Sequence, residues 1–270
     1  MTRAGPVPPP GSGDLPLSVL VDFDGTVATT DVTDVLLSLH ATDASWRARD
    51  TDYIAGRAGS RTLLAWDATI LDPDPDRLLA TARSQPLDPA FAATVDLVRR
   101  AGGVVEVVSD GLGFYVEPLL ARTGAGDLPV ATSSMDLGAA PYHIAFPYGH
   151  PDCLVCGTCK RARVLAHQEA GRYVVFVGDG ESDRYAAWHA DLVLAKGRLA
   201  ALCEAQDWPC RTWRDFAEVG ALLGAAIADG TVPRTEREVR RRRDSGGRRG
   251  FICGPEAWGP GRTEPAPPAG

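Results

Sequence analysis

The sequence predicts a doubly wound α/β fold, with a parallel sheet and a small helical cap inserted after the first strand. Short apolar runs without a clean polar alternation recur along the chain, and helical patterns separate them. Strands of a parallel sheet are buried on both faces by helices, so they have this continuous apolar character. A long stretch after the first apolar run contains only helical patterns, which indicates an insert rather than part of the sheet.

Five apolar runs are the predicted strands, and three helical patterns lie between them. The strands fall at residues 17–21, 104–108, 128–131, 173–177 and 191–194, and the helices at residues 90–100, 113–122 and 160–170. Each strand followed by a helix is one βα unit, and successive units place their strands side by side in one sheet.

The predicted insert covers residues 31–86, with helical patterns at 32–39 and 61–71. Ligands of open α/β sheets bind beyond the carboxyl ends of the strands. Because the insert leaves the chain directly after the first strand, we expect it to cover that edge as a cap.

The domain boundaries follow from composition. Residues 16–30 and 87–229 are expected to form the core domain, and residues 31–86 the helical cap. Residues 1–15 are rich in Pro and Gly, and residues 230–270 combine an Arg run with a Pro/Gly-rich end. Such segments lack the apolar content needed to bury a core, so we expect both to be disordered.

Composition and charge restrict the function classes. The chain has 270 residues, a formal net charge of -7 and 44% hydrophobic residues, which excludes nucleic-acid binding through bulk electrostatics. No apolar run approaches the roughly 20 residues that span a bilayer, and the start lacks an apolar signal core. Six cysteines, three of them within residues 153–159, suit a reducing compartment. We therefore expect a cytoplasmic protein without membrane or nucleic-acid partners; the sequence carries no signal for its oligomeric state.

The first chemical motif is VLVDFDGT at residues 19–26. An apolar strand ends there in Asp22 and Asp24, and Gly25 allows a turn that would bring both carboxylates to one site. One carboxylate can attack phosphorus to form an acyl phosphate, and the other can donate and accept protons. Taken alone, the motif also fits an ordinary acidic turn.

Two further strands end in polar residues, and one lysine begins a helix. GDGESD at residues 178–183 supplies Asp179 and Asp183, hard oxygen ligands of the kind that magnesium prefers. Ser109, followed by Asp110 and Gly111, could hold phosphate oxygens with a hydroxyl and backbone N–H groups. Lys160 could neutralise a phosphoryl group. Each pattern alone is weak, and it is their order at successive βα junctions that is specific.

In that order the four motifs resemble those of the haloacid dehalogenase superfamily, over about residues 17–219. The resemblance implies an enzyme with Asp22 as nucleophile and Asp24 as general acid and base. It implies the phosphate-binding group, formed by Ser109, Asp110, Gly111 and Lys160. It also implies Mg²⁺ bound by Asp22, Asp179 and the backbone carbonyl of Asp24, with Asp183 in support.

Within the superfamily, the chain looks most like the helical-cap branch that includes phosphoserine phosphatases and the 2-hydroxy-3-keto-5-methylthiopentenyl-1-phosphate phosphatases. SDGLGFYVEPLL at residues 109–120 and the Cys-rich segment before Lys160 carry this resemblance. It implies a magnesium-dependent phosphatase of a small-molecule phosphate monoester. Alternatives are phosphoserine rather than a methionine-salvage ester as substrate, a phosphotransferase of the same fold, and a catalytically silent binding protein.

Two weaker signals remain open. Cys153, Cys156 and Cys159, with His143 or His150, have the spacing of a structural zinc site, or they are reduced thiols in a loop. In the cap, Arg57 and Arg61 are candidates to contact the part of the substrate beyond its phosphate, against the alternative of a solvated basic helix face.

Overall fold

The computed structural model describes residues 4–55, 57–151, 153, 155–246 and 253. The strands are β1 (Leu17–Val21), β2 (Val104–Val108), β3 (Val130–Ala131), β4 (Ser134–Asp136), β5 (His143–Ala145), β6 (Tyr173–Gly178), β7 (Leu192–Ala195) and β8 (Arg211–Thr212). The helices are α1 (Val32–His40), α2 (Trp46–Ile54), α3 (Ser60–Ile70), α4 (Pro75–Arg83), α5 (Phe91–Arg100), α6 (Val116–Arg122), α7 (Lys160–Glu169), α8 (Arg184–His189), α9 (Gly197–Ala205), α10 (Phe216–Ala228) and α11 (Glu236–Gly246).

The central sheet has six strands in the order β3-β2-β1-β6-β7-β8, and every pair in it is parallel. The chain builds outward from β1 to β3 and then returns to place β6 on the other side of β1. The strand order therefore reverses between β1 and β6, and this switch point opens the crevice in which such sheets bind ligands.

Both faces of the sheet are covered, as the apolar runs predict. In β6, Tyr173, Val175 and Val177 pack into one core cluster. Val174 and Phe176, which alternate with them, pack into the cluster on the opposite face. A strand with apolar residues at every position fits because helices lie on both sides of the sheet.

The helical insert follows β1, and its base closes where the chain returns. Ala28 and Leu87 form an isolated antiparallel bridge there. Between them, α1 to α4 occupy the stretch in which only helical patterns were predicted. Asp31 caps α1 by accepting a hydrogen bond from the Asp34 N–H at 2.9 Å. A short hairpin of β4 and β5 lies outside the central sheet.

The C-terminal segment differs from the disorder expected of it. The structure places α11 within it, with Val232 and Val239 both buried at 1% exposure. An i,i+4 pair between Arg240 and Glu236 adds support on the exposed side. Composition understated this segment because one buried valine in α11 and another just before the helix attach the segment to the core. Residues 247–252 and 254–270 lie outside the described residues.

The N-terminal segment also contacts the core where it is described. The Ala4 N–H donates to Val130 O at 3.1 Å, and Arg172 Nε donates to Pro8 O at 2.9 Å. A Pro-rich segment without apolar content can therefore still lie along the sheet edge through its backbone. In the part of the chain that the structure describes, no helix combines the length and the apolar character needed to cross a membrane.

Candidate active site

The carboxyl ends of β1 and β6 bring Asp22 and Asp179 to one edge of the sheet. The Asp22 N–H donates to Val177 O at 2.9 Å, which ties the end of β1 to β6. Gly25 then turns the chain with a φ of 67°, a conformation that residues with a Cβ rarely adopt. A Cβ at Gly25 would also meet the Asp179 carboxylate. The glycine in the first motif therefore allows the two loops to approach each other.

Lys160 begins α7 and lies buried between two carboxylates. Its Nζ is 2.7 Å from Asp22 Oδ1 and 2.7 Å from Asp183 Oδ1, and it donates to Ser182 Oγ at 3.0 Å. Burial alone would lower the pKa of Lys160, but Asp183 and Asp22 outweigh it and raise the pKa above its ordinary value. Lys160 therefore stays protonated as a fixed positive charge beside Asp22.

Three carboxylates converge on this lysine. Asp22, Asp179 and Asp183 each offer an oxygen within 4.8 Å of the others. Asp183 Oδ2 accepts the N–H groups of Asp179 and Gly180, both at 3.0 Å, and Thr26 Oγ1 donates to Asp179 Oδ1 at 2.9 Å. Burial, followed by the charge of Asp183, raises the pKa of Asp179 to about 6. Closely spaced carboxylate oxygens are a suitable donor set for Mg²⁺.

Asp24 has different partners from Asp22. The Val32 N–H donates to its Oδ1 at 3.0 Å, and the Tyr115 hydroxyl donates to its Oδ2 at 2.6 Å. Both oxygens thus meet donors from α1 and from the loop before α6. Burial, followed by the charge of Asp31, raises the pKa of Asp24 to about 8. Its side chain can therefore carry a proton at neutral pH.

The three residues that follow β2 have different surroundings. Ser109 is fully buried, and its Oγ accepts the Gly111 N–H at 3.1 Å. The Asp110 carboxylate accepts hydrogen bonds from the Ser60 hydroxyl and from the Thr158 N–H. Burial raises the pKa of Asp110 to about 6. Its side chain connects α3 of the insert to the loop before α7.

A cavity of about 380 Å³ lies between the sheet edge and the first three helices of the insert. Of the predicted site residues, those that line it are Asp22, Asp24, Asp110, Gly111 and Asp179. Lys160, Ser109 and Asp183 lie beneath its floor, at 3%, 0% and 0% exposure. The structure therefore brings together all eight predicted residues at one end of the sheet, five at the surface of the cavity and three under it.

The two arginines proposed for the cap lie elsewhere. Arg57 is exposed and pairs with Asp52, while Arg61 Nε donates to Cys156 O at 3.1 Å. Neither of them lines the cavity that the described residues form. Arg61 instead fastens the insert to the Cys-rich loop, because its N–H also donates to Val155 O at 2.9 Å. The structure therefore gives no support to a contact between these two arginines and the substrate.

The zinc hypothesis gains no support from the geometry. Among the described residues, the group of three or more ligand atoms found close together is the aspartate group, and it does not include Cys153, Cys156 or Cys159 with His143 or His150. The spacing of the cysteines in the sequence allowed such a site. In the structure, backbone groups of the Cys-rich loop form hydrogen bonds with the insert and with Asp110.

Sequence reasoning missed several residues of the site. Tyr115 lies inside the segment that carried the family resemblance, but nothing in that segment linked it to Asp24. Thr26 completes the first motif and orients Asp179. Asp67 lies on the otherwise apolar face of α3, next to Leu64 and Ala68. An acidic residue within an apolar helical stripe was the signal that could have identified it.

The sequence of residues 19–187 matches the family described as haloacid dehalogenase-like hydrolases. The chain belongs to this family. The chain is 24% identical over 211 residues to a 2-hydroxy-3-keto-5-methylthiopentenyl-1-phosphate phosphatase of Brevibacillus brevis, covering 77% of this chain and 95% of that protein. It is 28% identical over 211 residues to a phosphatase of the same name from Geobacillus thermodenitrificans, covering 75% and 93%.

Solved structures of the family share the fold. A phosphoserine phosphatase determined as an analogue of its phospho-aspartyl intermediate superimposes with a TM-score of 0.59 at 17% identity, covering 75% of this chain and 96% of that one. A probable phosphoserine phosphatase from Vibrio cholerae gives 0.58 at 19% identity, covering 82% and 69%. These family members confirm the predicted doubly wound fold.

Proposed function

We propose that this protein is a magnesium-dependent phosphatase that hydrolyses a small-molecule phosphate monoester through an aspartyl-phosphate on Asp22. The observation that carries the proposal is the ion pair between Asp22 and the buried Lys160 at the switch point of the sheet, 2.7 Å apart. This pair supports the proposal because a carboxylate beside a fixed cation can attack phosphorus while the cation stabilises the phosphoryl oxygens. The phosphatase names of the related proteins agree with this chemistry.

Asp22 is the nucleophile in this proposal. Its Oδ1 accepts the Phe23 N–H at 2.8 Å and meets Lys160 Nζ, so we assign the attack on phosphorus to Oδ2. Burial, followed by the charge of Asp183, raises the pKa of Asp22, and Lys160 opposes that rise. A bound divalent cation would shift the balance further toward the ionised nucleophile.

Asp24 is the proton donor in the first step. A bond forms between Asp22 Oδ2 and phosphorus, the bond from phosphorus to the ester oxygen breaks, and that oxygen takes the proton of Asp24. In the second step, Asp24 accepts a proton from water as the water oxygen attacks phosphorus and the Asp22 carboxylate leaves. Inorganic phosphate is released and both aspartates return to their starting states.

Asp22, Asp179 and the backbone carbonyl of Asp24 would hold Mg²⁺. The carboxylate group fits a divalent cation, because three acidic side chains converge there with one lysine among them. When bound, the ion neutralises phosphate oxygens and orients them for in-line attack. Asp183 would orient Lys160, while Ser109, Gly111 and the backbone of Asp110 would contact phosphate oxygens from the other side.

Release of inorganic phosphate from a panel of phosphate monoesters, with and without EDTA, tests this proposal. The panel includes p-nitrophenyl phosphate, phosphoserine and the methionine-salvage ester. We expect magnesium-dependent turnover that falls at least ~10³-fold in Asp22→Asn. Asp127→Asn, which changes an exposed carboxylate paired with Arg99, is the control and should keep full activity.

Other outcomes point to the alternatives. A phosphorylated acceptor alcohol in place of free phosphate would indicate a phosphotransferase. Absence of turnover from the whole panel by the metal-replete protein would indicate a binding protein. Full activity in Asp22→Asn would reject Asp22 as the nucleophile.

A further inference from the structure

The insert presents an acidic wall to the cavity. Helices α1, α2 and α3 each direct one face toward it, and each face contains one aspartate among larger apolar side chains. The aspartates are Asp34, Asp50 and Asp67, and the neighbours that share the lining are Leu37, Trp46, Tyr53, Ile54, Leu63 and Leu64. We refer to Asp34, Asp50 and Asp67 as the acidic wall. It faces the catalytic aspartates across a space large enough for a small organic ligand.

Asp67 is the member of the acidic wall whose placement is hardest to explain without a ligand. It is only 1% exposed, and its Oδ1 has no hydrogen-bond partner among the described residues. Burial, followed by the charge of Asp34, raises the pKa of Asp67 to about 7. A buried carboxylate without a partner destabilises the free protein, and a cation bound beside it removes that penalty.

Among the described residues, the arginines of the insert do not line the cavity, although the charge of Arg49 partly offsets the rise in the pKa of Asp67. The guanidinium of Arg49 lies 3.9 Å from the ring centroid of Trp66, and that of Arg47 lies over Trp46. Among the described residues, the cation that lines the cavity is Arg198, which belongs to α9 and lies 3.7 Å from Glu181. The part of the cavity lining away from the nucleophile therefore contains more carboxylates than cations.

We propose that the acidic wall is a subsite for an organic cation, so that the preferred substrate is the phosphate monoester of an amino alcohol. Its phosphate meets Asp22 and Lys160, while its ammonium lies against Asp67 on the opposite side of the cavity. Tyr53 adds an aromatic ring to the same wall, a surface that attracts ammonium groups. The acidic wall repels phosphate monoesters whose alcohol part carries a carboxylate or a second phosphate. This inference rests on the proposed phosphatase activity and narrows its substrate class.

Alkyl phosphates of matched length test the charge preference directly. Two-carbon and four-carbon phosphates ending in an amine, a hydroxyl or a carboxylate are compared by kcat/KM, with p-nitrophenyl phosphate as the reference. We expect the amine to exceed the hydroxyl by at least ~10-fold at one of the two lengths, because a hydrogen bond to a charged group distinguishes them. The carboxylate should be the poorest substrate.

The variant Asp67→Asn keeps the shape of the side chain and removes its charge. We expect the kcat/KM for the amine to fall at least ~10-fold more than that for the hydroxyl ester, so the preference for the amine is lost. Asp52→Asn, in the same insert but paired with Arg57 at the surface, is the control and should preserve the preference. A general loss of folding in Asp67→Asn would lower the kcat/KM values of both esters together. The ratio of the two kcat/KM values therefore separates a role in binding from a structural role.

Outcomes for the subsite and for the phosphatase are distinguishable. If p-nitrophenyl phosphate and the hydroxyl esters are hydrolysed as well as the amines, the subsite is rejected and the phosphatase stands. If Asp67→Asn leaves the ratio of amine to hydroxyl unchanged, the assignment of the ammonium to Asp67 is rejected. If the wild-type protein hydrolyses neither p-nitrophenyl phosphate nor any alkyl ester, both the proposed phosphatase activity and the subsite are rejected.

Discussion

Asp22 and Asp24 are two residues apart, but their carboxylates have different partners. Asp22 is beside the protonated Lys160, whereas Asp24 accepts hydrogen bonds from Tyr115 and from the start of α1. Burial raises the pKa of both carboxyl groups, that of Asp24 to about 8, but within the described residues only Asp22 has a cation in contact with it that opposes the rise. The two environments therefore suit a nucleophile and an acid.

Asp24→Asn separates the two steps of the proposed reaction. Because p-nitrophenolate leaves without a proton donor, we expect the variant to keep a burst of one equivalent of p-nitrophenol. Steady-state turnover should fall by ~10²- to 10⁴-fold, because the base for the second step is gone. Rapid-mixing absorbance at about 400 nm, where p-nitrophenolate absorbs, measures both phases. A steady-state rate equal to that of the parent would contradict the role of Asp24.

The sequence could predict most residues of the site, because each occurs where a strand ends or a helix begins. It could not predict their partners. The hydrogen bond from Tyr115 to Asp24 joins residues 91 positions apart, and no local pattern encodes it. The contact of Arg61 with Cys156 could not be predicted for the same reason, since it joins residues 95 positions apart and depends on how the insert docks.

Helix α7 presents three side chains on one face and thereby fixes Lys160. One turn beyond Lys160, Arg163 forms two hydrogen bonds with the buried Glu106 of β2, at 2.6 and 2.8 Å. One turn further, His167 Nε2 is 2.9 Å from the same carboxylate, and its Nδ1 is 2.8 Å from Ser18 Oγ. This network attaches the helix to β1 and β2, so Glu106 acts on the site through the position of α7.

Glu106→Gln should destabilise the fold in a pH-dependent way. Burial raises the pKa of Glu106, but hydrogen bonds from His167 and Arg163 outweigh it and hold the pKa below its ordinary value. The ionised carboxylate thus contributes stability above the unfolded-state pKa of about 4.3, and this contribution is lost as pH falls through the lower folded-state pKa. We expect the free energy of unfolding to fall by about 3 kcal/mol at neutral pH.

Urea unfolding at pH 7, and then stepwise toward acid, measures this difference. The difference in the free energy of unfolding between wild type and Glu106→Gln should shrink once the pH drops below the pKa of the carboxyl group in the unfolded state. Glu204→Gln changes an exposed carboxylate of α9 and should leave the urea midpoint unchanged at every pH. A gap for Glu106→Gln that stays constant into acid would reject the ionised network.

Helices and strands were predicted correctly where a strand is buried on both faces or where a helix has a periodic apolar face. The strands β1 and β2 have the bounds that their apolar runs predicted, and α1 and α3 match the patterns of the insert. Helix α2 was missed because it buries none of its residues completely, so its sequence has no continuous apolar stripe. The hairpin of β4 and β5 was missed because each strand has only three residues.

At the scale of the whole molecule, the candidate active site lies between the edge of the sheet and the helices of the insert. The sheet order places β1 and β6 side by side, so residues from distant motifs meet at one edge; this much follows from the βα alternation. The acidic wall opposite that edge depends on the packing of α1, α2 and α3, which periodicity alone does not give. The fold class and the reaction type were therefore accessible from sequence, whereas the chemistry of the substrate pocket required the structure.

The central claim is that a phosphoryl group is transferred to Asp22. Acid quenching during turnover with magnesium and p-nitrophenyl phosphate, followed by peptide mass spectrometry, tests it most directly. The account predicts one added phosphoryl group on the peptide that contains Asp22, localised to that residue, and none in the Asp22→Asn variant. A phosphoryl group on another residue, or full phosphate release by Asp22→Asn, would contradict it.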